Sequence, residues 1–326
     1  MPTMTIAKAI NEGLRATLSK NPKSLLMGED IGKLGGVYRV TDGLIKEFGE
    51  DRVVDTPLAE SGIIGTAIGL ALRGYKPVCE IQFDGFVFPG FNQITTQLAK
   101  MHARSHGQLN VPVVIRIPYG GGIGSVEHHS ESPEALFAHT AGLRIVSPSN
   151  AHDAYWMIQQ SVESKDPVIF FEPKRRYWLK GEVDTQEPGL AADLHKAHVL
   201  RQGTDATIVA YGPLVPVALA AANAAEEDGH SLEVIDLRSI SPIDFDTVTE
   251  SVKKTGRLII AHEAPTFGGI GGEIAARISE RAFLHLEAPV LRVGGFHMPY
   301  PVAKVEEDYL PDIDRILEAL DRSLAY

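Results

Sequence analysis

One carboxylate, Glu60, stands at the mouth of a run that is otherwise small, apolar and glycine-rich: Asp55-Thr-Pro-Leu-Ala-Glu-Ser-Gly-Ile-Ile-Gly-Thr-Ala-Ile-Gly-Leu-Ala-Leu-Arg-Gly74. An acid in the first turn of a helix commonly compensates the helix dipole. A capping box does not explain it, because with Thr56 as N-cap the third helical residue is Ala59 and Glu60 is the fourth. Residues 63 and 64 are both isoleucine, so no base faces Glu60 one turn on. Burying a carboxylate without a cation costs several kcal/mol, about 2–7 even for milder polar groups, and a ligand donor would relieve that. On these residues alone, a solvated acid and a functional acid stand level.

A second cluster is His128-His129-Ser-Glu-Ser-Pro-Glu134, directly after the glycine-rich Tyr119-Gly-Gly-Gly-Ile-Gly124. Adjacent histidines lack the i, i+4 spacing of a helical zinc site. Solvation suits His128, whereas His129 lies between a glycine turn and a helix start, where an imidazole can move protons near neutral pH. The glycine cluster lacks a lysine and reads as a turn at a strand's C-terminal end, the edge where open α/β sheets gather ligands. Phe267-Gly-Gly-Ile-Gly-Gly-Glu273 follows a strand and opens a helix, but its glycines do not fit G-x-G-x-x-G, so tight helix–sheet packing explains them. Nothing matches the phosphate loop G-x-x-x-x-G-K-[ST].

The elements that must position these residues alternate. Helical periodicity spans residues 5–18, followed by short apolar strands at 24–27 and 53–54, with the Glu60 stretch as a helix. Further strands are expected at 76–82, 111–117, 143–147 and 167–172, and helices at 91–104, 133–139 and 153–164. Ser132 is the expected N-cap before Pro133 at the first helical position. Beyond a charged, polar stretch a second alternation runs to a closing helix at 312–324. The fold class is therefore α/β with two domains, each a mostly parallel sheet flanked by helices. Boundaries are set at 1–180 for the first domain, 181–200 for a linker and 201–326 for the second.

Composition narrows the function classes. A net charge of −11 argues against nucleic-acid and anionic-membrane binding, which rest on clustered Lys and Arg. The lone Cys79 permits no internal disulfide, and the longest apolar run, 63–72, is too short to span a bilayer. The N-terminus reads as an amphipathic helix carrying charge rather than a signal peptide, and a cytoplasmic location is expected.

Gly28-Glu-Asp30, Asp55-Thr-Pro-Leu-Ala-Glu-Ser-Gly62, Glu80-Ile-Gln-Phe-Asp-Gly-Phe86 and His129-Ser-Glu-Ser-Pro-Glu134 together resemble the beta subunits of thiamine-dependent 2-oxo acid dehydrogenases. Phe170-Phe-Glu-Pro-Lys174 and Gly268-Gly-Ile-Gly-Gly-Glu273 extend the likeness over essentially the whole chain. The resemblance implies a pyrimidine-binding domain, then a domain of the transketolase C-terminal type. In that family the acid matching Glu60 hydrogen-bonds a ring nitrogen of the cofactor's aminopyrimidine and favours the imino tautomer that deprotonates the thiazolium. It implies cofactor-lining roles for Glu29, Leu58, Ala59, Gln82 and Phe86, with Phe86 stacking on the pyrimidine. Phe83, Phe86 and His129 would border the substrate, and His129 would handle protons during acyl transfer to a lipoyl group.

The cofactor implied is thiamine diphosphate, shared with an alpha subunit in an α₂β₂ heterotetramer. The alpha subunit would hold the diphosphate and Mg²⁺. Asp84-Gly85 with Asn110 imitates the metal-binding motif of thiamine enzymes, but Phe83 replaces its first glycine and Val111 its second asparagine, so no magnesium site is expected in this chain. A potassium site maps around Ser161, Val162, Ser164 and Asp166, with Ser164 and Asp166 departing from the family residues. The acidic run Glu306-Glu-Asp308 is either a solvated charge run, the favoured reading, or a contact for the lipoyl-bearing dihydrolipoamide acyltransferase core. The expected activity is oxidative decarboxylation of a branched-chain 2-oxo acid of the 3-methyl-2-oxobutanoate type, with pyruvate or acetoin as alternatives. A non-catalytic scaffold for the alpha subunit is the reading of a different class. A transketolase-like carboligase is disfavoured by the missing diphosphate motif.

Overall fold

The computed structural model describes all 326 residues. The first half contributes β1 (Thr3–Thr5), β2 (Ser24–Gly28), β3 (Val53–Asp55), β4 (Lys76–Glu80), β5 (Val114–Tyr119), β6 (Arg144–Val146), β7 (Val168–Pro173) and β8 (Lys180–Glu182). The second contributes β9 (His198–Arg201), β10 (Ala206–Ala210), β11 (Leu232–Asp236), β12 (Ser239–Ser241), β13 (Leu258–Pro265) and β14 (Leu291–Gly295). A seven-stranded sheet runs β12-β6-β7-β5-β4-β2-β3 and a five-stranded sheet β14-β13-β10-β11-β9. Both are parallel except at one edge, where β12 meets β6 and β9 meets β11 antiparallel. β1 and β8 form a separate antiparallel ribbon.

Strands β2, β4, β5 and β7 are buried along nearly their whole length, as strands covered on both faces must be. One face of the large sheet is covered by the helices Ile6–Lys20 and Ala151–Glu163 over a core that includes Leu14, Val78, Ile158 and Phe170. The other face carries the helix Glu60–Leu72 and shares an apolar cluster with the second sheet, from Ile64 and Phe171 to Ile235 and Ile260. No helix is long and apolar enough to cross a membrane.

Several sequence expectations need correction. The region 181–200 is not a free linker: β8 pairs with β1, the Trp156 indole donates to the Asp184 carbonyl at 2.8 Å, and His198 already belongs to the second sheet. Nor is the division between halves clean, because β12 extends the first sheet and the Ser147 N–H donates to the Arg238 carbonyl. Residues 91–104 are helical but irregular, passing through a π-turn at Gln93–Gln97 and a 3₁₀ turn at Leu98–Lys100. The helix after His129 is Glu134–Ala138, with Pro133 rather than Ser132 at the cap position and no side-chain cap. As expected from the glycine-rich 268–273 stretch, Gly269 and Gly271 pass so close to the His262 ring that a Cβ on either would meet it at 2.7 and 2.8 Å.

Candidate functional site

Strands β3, β2 and β4 lie side by side and parallel, so the segments leaving their C-terminal ends emerge along one edge. Those segments are Glu29-Asp30, residues 55–59 leading to Glu60, and Gln82 to Asp84. Glu60 is the first residue of its helix rather than the fourth, and its N-cap is Ala59, which offers no side-chain bond. The helix does not start at Thr56, because the Thr56 N–H continues the sheet ladder to the Gly28 carbonyl at 2.9 Å and the chain bends at Leu58 before the helix begins. The helix buries Ile63, Ile64, Ala67 and Ala71, and Glu60 itself is only 8% exposed. No group of this chain donates a hydrogen bond to its carboxylate.

Glu29 is also buried, and its Oε1 has no hydrogen-bond partner. Burial, then the charges of Glu60 and Asp30, push its pKa above the ordinary carboxylate value, while the Ala59 backbone opposes the rise. Gln82 fastens this turn: its Nε2 donates to Asp30 Oδ2 at 3.2 Å and to the Glu29 carbonyl at 3.4 Å. Asp30 sits at a φ of 58°, a left-handed conformation uncommon outside glycine and often found where a site constrains the backbone. Leu58, 81% exposed, and Ala59 face outward beside the acids.

Phe83, Phe86 and His129 are brought together as expected. The His129 ring stacks on Phe83 with centroids 4.0 Å apart and meets Phe86 edge-on at 5.1 Å. The 3₁₀ segment Asp84–Gly90 that carries Phe86 also packs on the start of the Glu60 helix, where a Cβ on Gly90 would lie 3.4 Å from the Glu60 carbonyl. His129 Nδ1 is 3.0 Å from the His128 carbonyl, which makes Nδ1 the donor and leaves Nε2 as the acceptor. His128 is exposed.

Asp84 is wholly buried and pairs with Lys174, whose Nζ also donates to the His129 carbonyl. Its second oxygen accepts the Glu131 N–H at 2.9 Å. Burial pushes the Asp84 pKa up to about 6 against the pull of Lys174. Glu134, also wholly buried, accepts from the Tyr211 hydroxyl at 2.6 Å. Deeper in the sheet, Arg116 bridges Glu80 and Glu172, the latter through both of its oxygens.

The glycine turn after β5 binds carboxylates of its own chain. Gly120, Gly122 and Gly124 all have positive φ, near 80°, 77° and 70°, a path open to glycine that presents successive N–H groups inward. Gly121 N–H donates to Glu263, and the Gly122 and Gly124 N–H groups donate to the two oxygens of Glu306 at 2.8 and 2.9 Å. Tyr300 adds a third donor to Glu306 at 2.7 Å. Glu306 is therefore a buried structural acid, which corrects the reading of 306–308 as one solvated run; only Glu307 and Asp308 are exposed. Lys174, Glu263 and Glu306 were missed as contributors to this region.

At the potassium positions the side chains are committed to protein partners. Ser161 Oγ donates to the Met157 carbonyl at 2.7 Å, Val162 lies in the apolar core, and Asp166 Oδ2 accepts two bonds from Arg144. Ser164 Oγ closes a turn onto the Asp166 carbonyl. The side chains at these positions are thus engaged by protein groups.

Residues 2–178 match the transketolase pyrimidine binding domain and residues 195–316 the transketolase C-terminal domain. The chain is 65% identical over 324 residues to a pyruvate dehydrogenase E1 component subunit beta of Leifsonia xyli, covering 99% of this chain and 96% of the relative. It is 50% identical over 323 residues to a 3-methyl-2-oxobutanoate dehydrogenase subunit beta of Mycobacterium tuberculosis, covering 99% and 92%. A solved split-gene transketolase, described as an inactive beta4 tetramer, superposes with a TM-score of 0.81 at 23% identity over 99% of both chains, a likeness of fold.

Proposed function

The chain belongs to the family of E1 beta subunits of 2-oxo acid dehydrogenases, and on that premise we propose that its β2–β3–β4 edge holds the aminopyrimidine half of thiamine diphosphate. The observation that carries this reading is the orphaned Oε1 of the buried Glu29, set beside Glu60, whose carboxylate accepts no bond from its own chain. Leaving such groups unmatched is costly, and a nitrogen heterocycle with N–H and ring-nitrogen groups would match them. Leu58, Ala59 and Phe86 would border the ring, and Gln82 keeps Glu29 in place. The bound cofactor supplies the electron sink for breaking the carbon–carbon bond of a 2-oxo acid.

This chain's residues then have separable tasks. Glu60 would hydrogen-bond a ring nitrogen of the pyrimidine, in a setting of low dielectric that strengthens the contact. Phe83 and Phe86 keep water from the acid's apolar side. His129, with Nδ1 on the His128 carbonyl, would use Nε2 to carry one proton from the hydroxyl that becomes the acyl carbonyl to the sulfur released when the lipoyl disulfide, the two-electron oxidant of the step, is opened. An alpha subunit supplies the diphosphate and Mg²⁺ half in an α₂β₂ assembly, and a lipoyl-bearing acyltransferase takes the acyl group. The cytoplasm is the proposed location.

For the substrate, the 65% identical relative supports pyruvate, and the 50% identical relative supports 3-methyl-2-oxobutanoate. The aromatic wall of Phe83 and Phe86 accommodates the branched acid, and extra methyl groups discriminate by only about 1–3 kcal/mol each. Kinetics of the reconstituted complex on both acids decide between them through the ratio of kcat/KM. The test of the site is Glu60→Gln with a matched alpha subunit, which is expected to lower decarboxylation by about 10²–10⁴-fold. Wild-type turnover by that complex would instead support a non-catalytic scaffold.

A further inference from the structure

The buried pair Asp84–Lys174 grips the backbone on both sides of one residue. Lys174 donates to the carbonyl of His129, and Asp84 accepts the N–H of Glu131. The two charges meet each other in the same place, and both side chains are within 1% of full burial. Phe83, the neighbour of Asp84, lies under the His129 ring, and Lys174 Nζ sits 5.6 Å from the centre of that phenyl ring. On the adjoining side the segment is pressed against Gly85, where a Cβ would come within 2.2 Å of the His128 carbonyl. Beyond it, Glu131 gives its own carbonyl to the Gly120 N–H at 2.9 Å.

A buried ion pair is a poor device for stability alone, since a well-packed apolar pair of similar volume serves as well or better. An apolar pair, however, offers nothing to a free carbonyl and a free amide. The segment around His129 has few other means of holding itself: it is a single 3₁₀ turn, Glu127–His129, and the buried Ser130 hydroxyl has no partner.

We propose that Asp84 and Lys174 are positioning residues for His129, clamping the 129–131 backbone so that the imidazole keeps its stack on Phe83 and its Nε2 available to the lipoyl disulfide that accepts the acyl group. This rests on the acyl-transfer role proposed for His129. The pair touches neither the Glu60 carboxylate nor Glu29, so it acts on transfer more than on decarboxylation.

The test uses the reconstituted alpha–beta complex with a lipoyl domain, measuring decarboxylation with an artificial electron acceptor and, separately, reductive acylation of the lipoyl domain. Lys174→Met strands a buried carboxylate and is expected to lower the melting temperature. It is also expected to lower lipoyl acylation at least tenfold more than decarboxylation. The double variant Asp84→Asn/Lys174→Met removes both charges; it should regain most of the melting temperature and keep the tenfold split. A parallel fall in both half-reactions, or a double variant that regains acylation together with stability, overturns the positioning role. A wild-type complex that decarboxylates neither pyruvate nor 3-methyl-2-oxobutanoate overturns the functional reading itself, and the proposal with it.

Discussion

Glu134→Gln isolates the electrostatic consequence of burying an acid just behind the His129 segment. The Glu134 carboxyl is fully buried, accepts one bond from Tyr211 and leaves Oε2 without a partner. Burial raises its pKa from 4.5 to about 8, with the charges of Glu263 and Asp84 adding to the rise. Between those values the folded protein holds a proton that the unfolded chain has lost. The folded state therefore binds more protons, and stability falls as pH rises through the window from about 4.5 to about 8. Above the upper value both states are ionised and the loss levels off. Glutamine keeps the shape and an acceptor for Tyr211 but does not titrate. The stability difference between variant and wild type should thus shift in favour of glutamine by about 1.4 kcal/mol per pH unit, or about 3 kcal/mol from pH 5.5 to pH 8. At roughly 2.1 cal/mol/K per residue, 326 residues make that about 4 °C. Melting curves of both proteins in the same assembly state, taken at half-unit pH steps, measure it. Other buried acids titrate in both proteins and cancel. A melting-temperature difference that stays flat within a degree across this range would refute the burial argument.

Arg116→Met removes the only cation between Glu80 and Glu172, both buried, and should cost about 3–5 kcal/mol, read as a fall in melting temperature. Replacing all three by apolar residues should recover much of that loss. Glu306→Ala removes the acceptor of the Gly122 and Gly124 N–H groups and of the buried Tyr300 hydroxyl, leaving Gly122 only its 3.3 Å bond to Tyr300, and should cost about 1–3 kcal/mol. Amide exchange at residues 120–124 should speed up markedly while the helix Ile6–Lys20 stays protected; unchanged exchange at the turn would count against Glu306 as its anchor.

The alternation of β-branched runs with helical periodicity made most of the central strands and the long helices legible, because each is long enough to show its own period. Strands β1, β8 and β12 lack the apolar run that marks the equally short β3 and β6, and their pairing is decided by partners far along the chain. The start of the Glu60 helix was misplaced for a local reason: Thr56 resembles an N-cap, yet its N–H serves the edge of the sheet. Glu60, Phe83, Phe86 and His129 were found because their segments carry a family likeness, and the parallel edge brings those segments together. Lys174 and Glu306 lie in segments the sequence also marks, but their structural roles were not legible, because their partners Asp84 and Gly122 lie 90 and 184 residues away.

These long-range contacts divide the supports of the two proposed steps. Glu29, Glu60 and Gln82 take their hydrogen bonds and backbone register from β2, β3, β4 and the helix that follows β3, and meet the second domain only through the apolar cluster that Ile63 and Ile64 share with it. The His129 segment has the second domain at both its ends. Glu263 and Glu306 fix the glycine turn before it, and Tyr211 holds Glu134 after it. A local opening of the second domain would release the turn and the helix start together, leaving the Asp84–Lys174 clamp as the remaining hold on His129. Because opening free energies differ from region to region within one fold, the acyl-transfer geometry is coupled to the second domain by direct hydrogen bonds, whereas the Glu60 edge meets it through apolar packing alone. Decarboxylation rests on one sheet edge, and transfer on the seam between two domains.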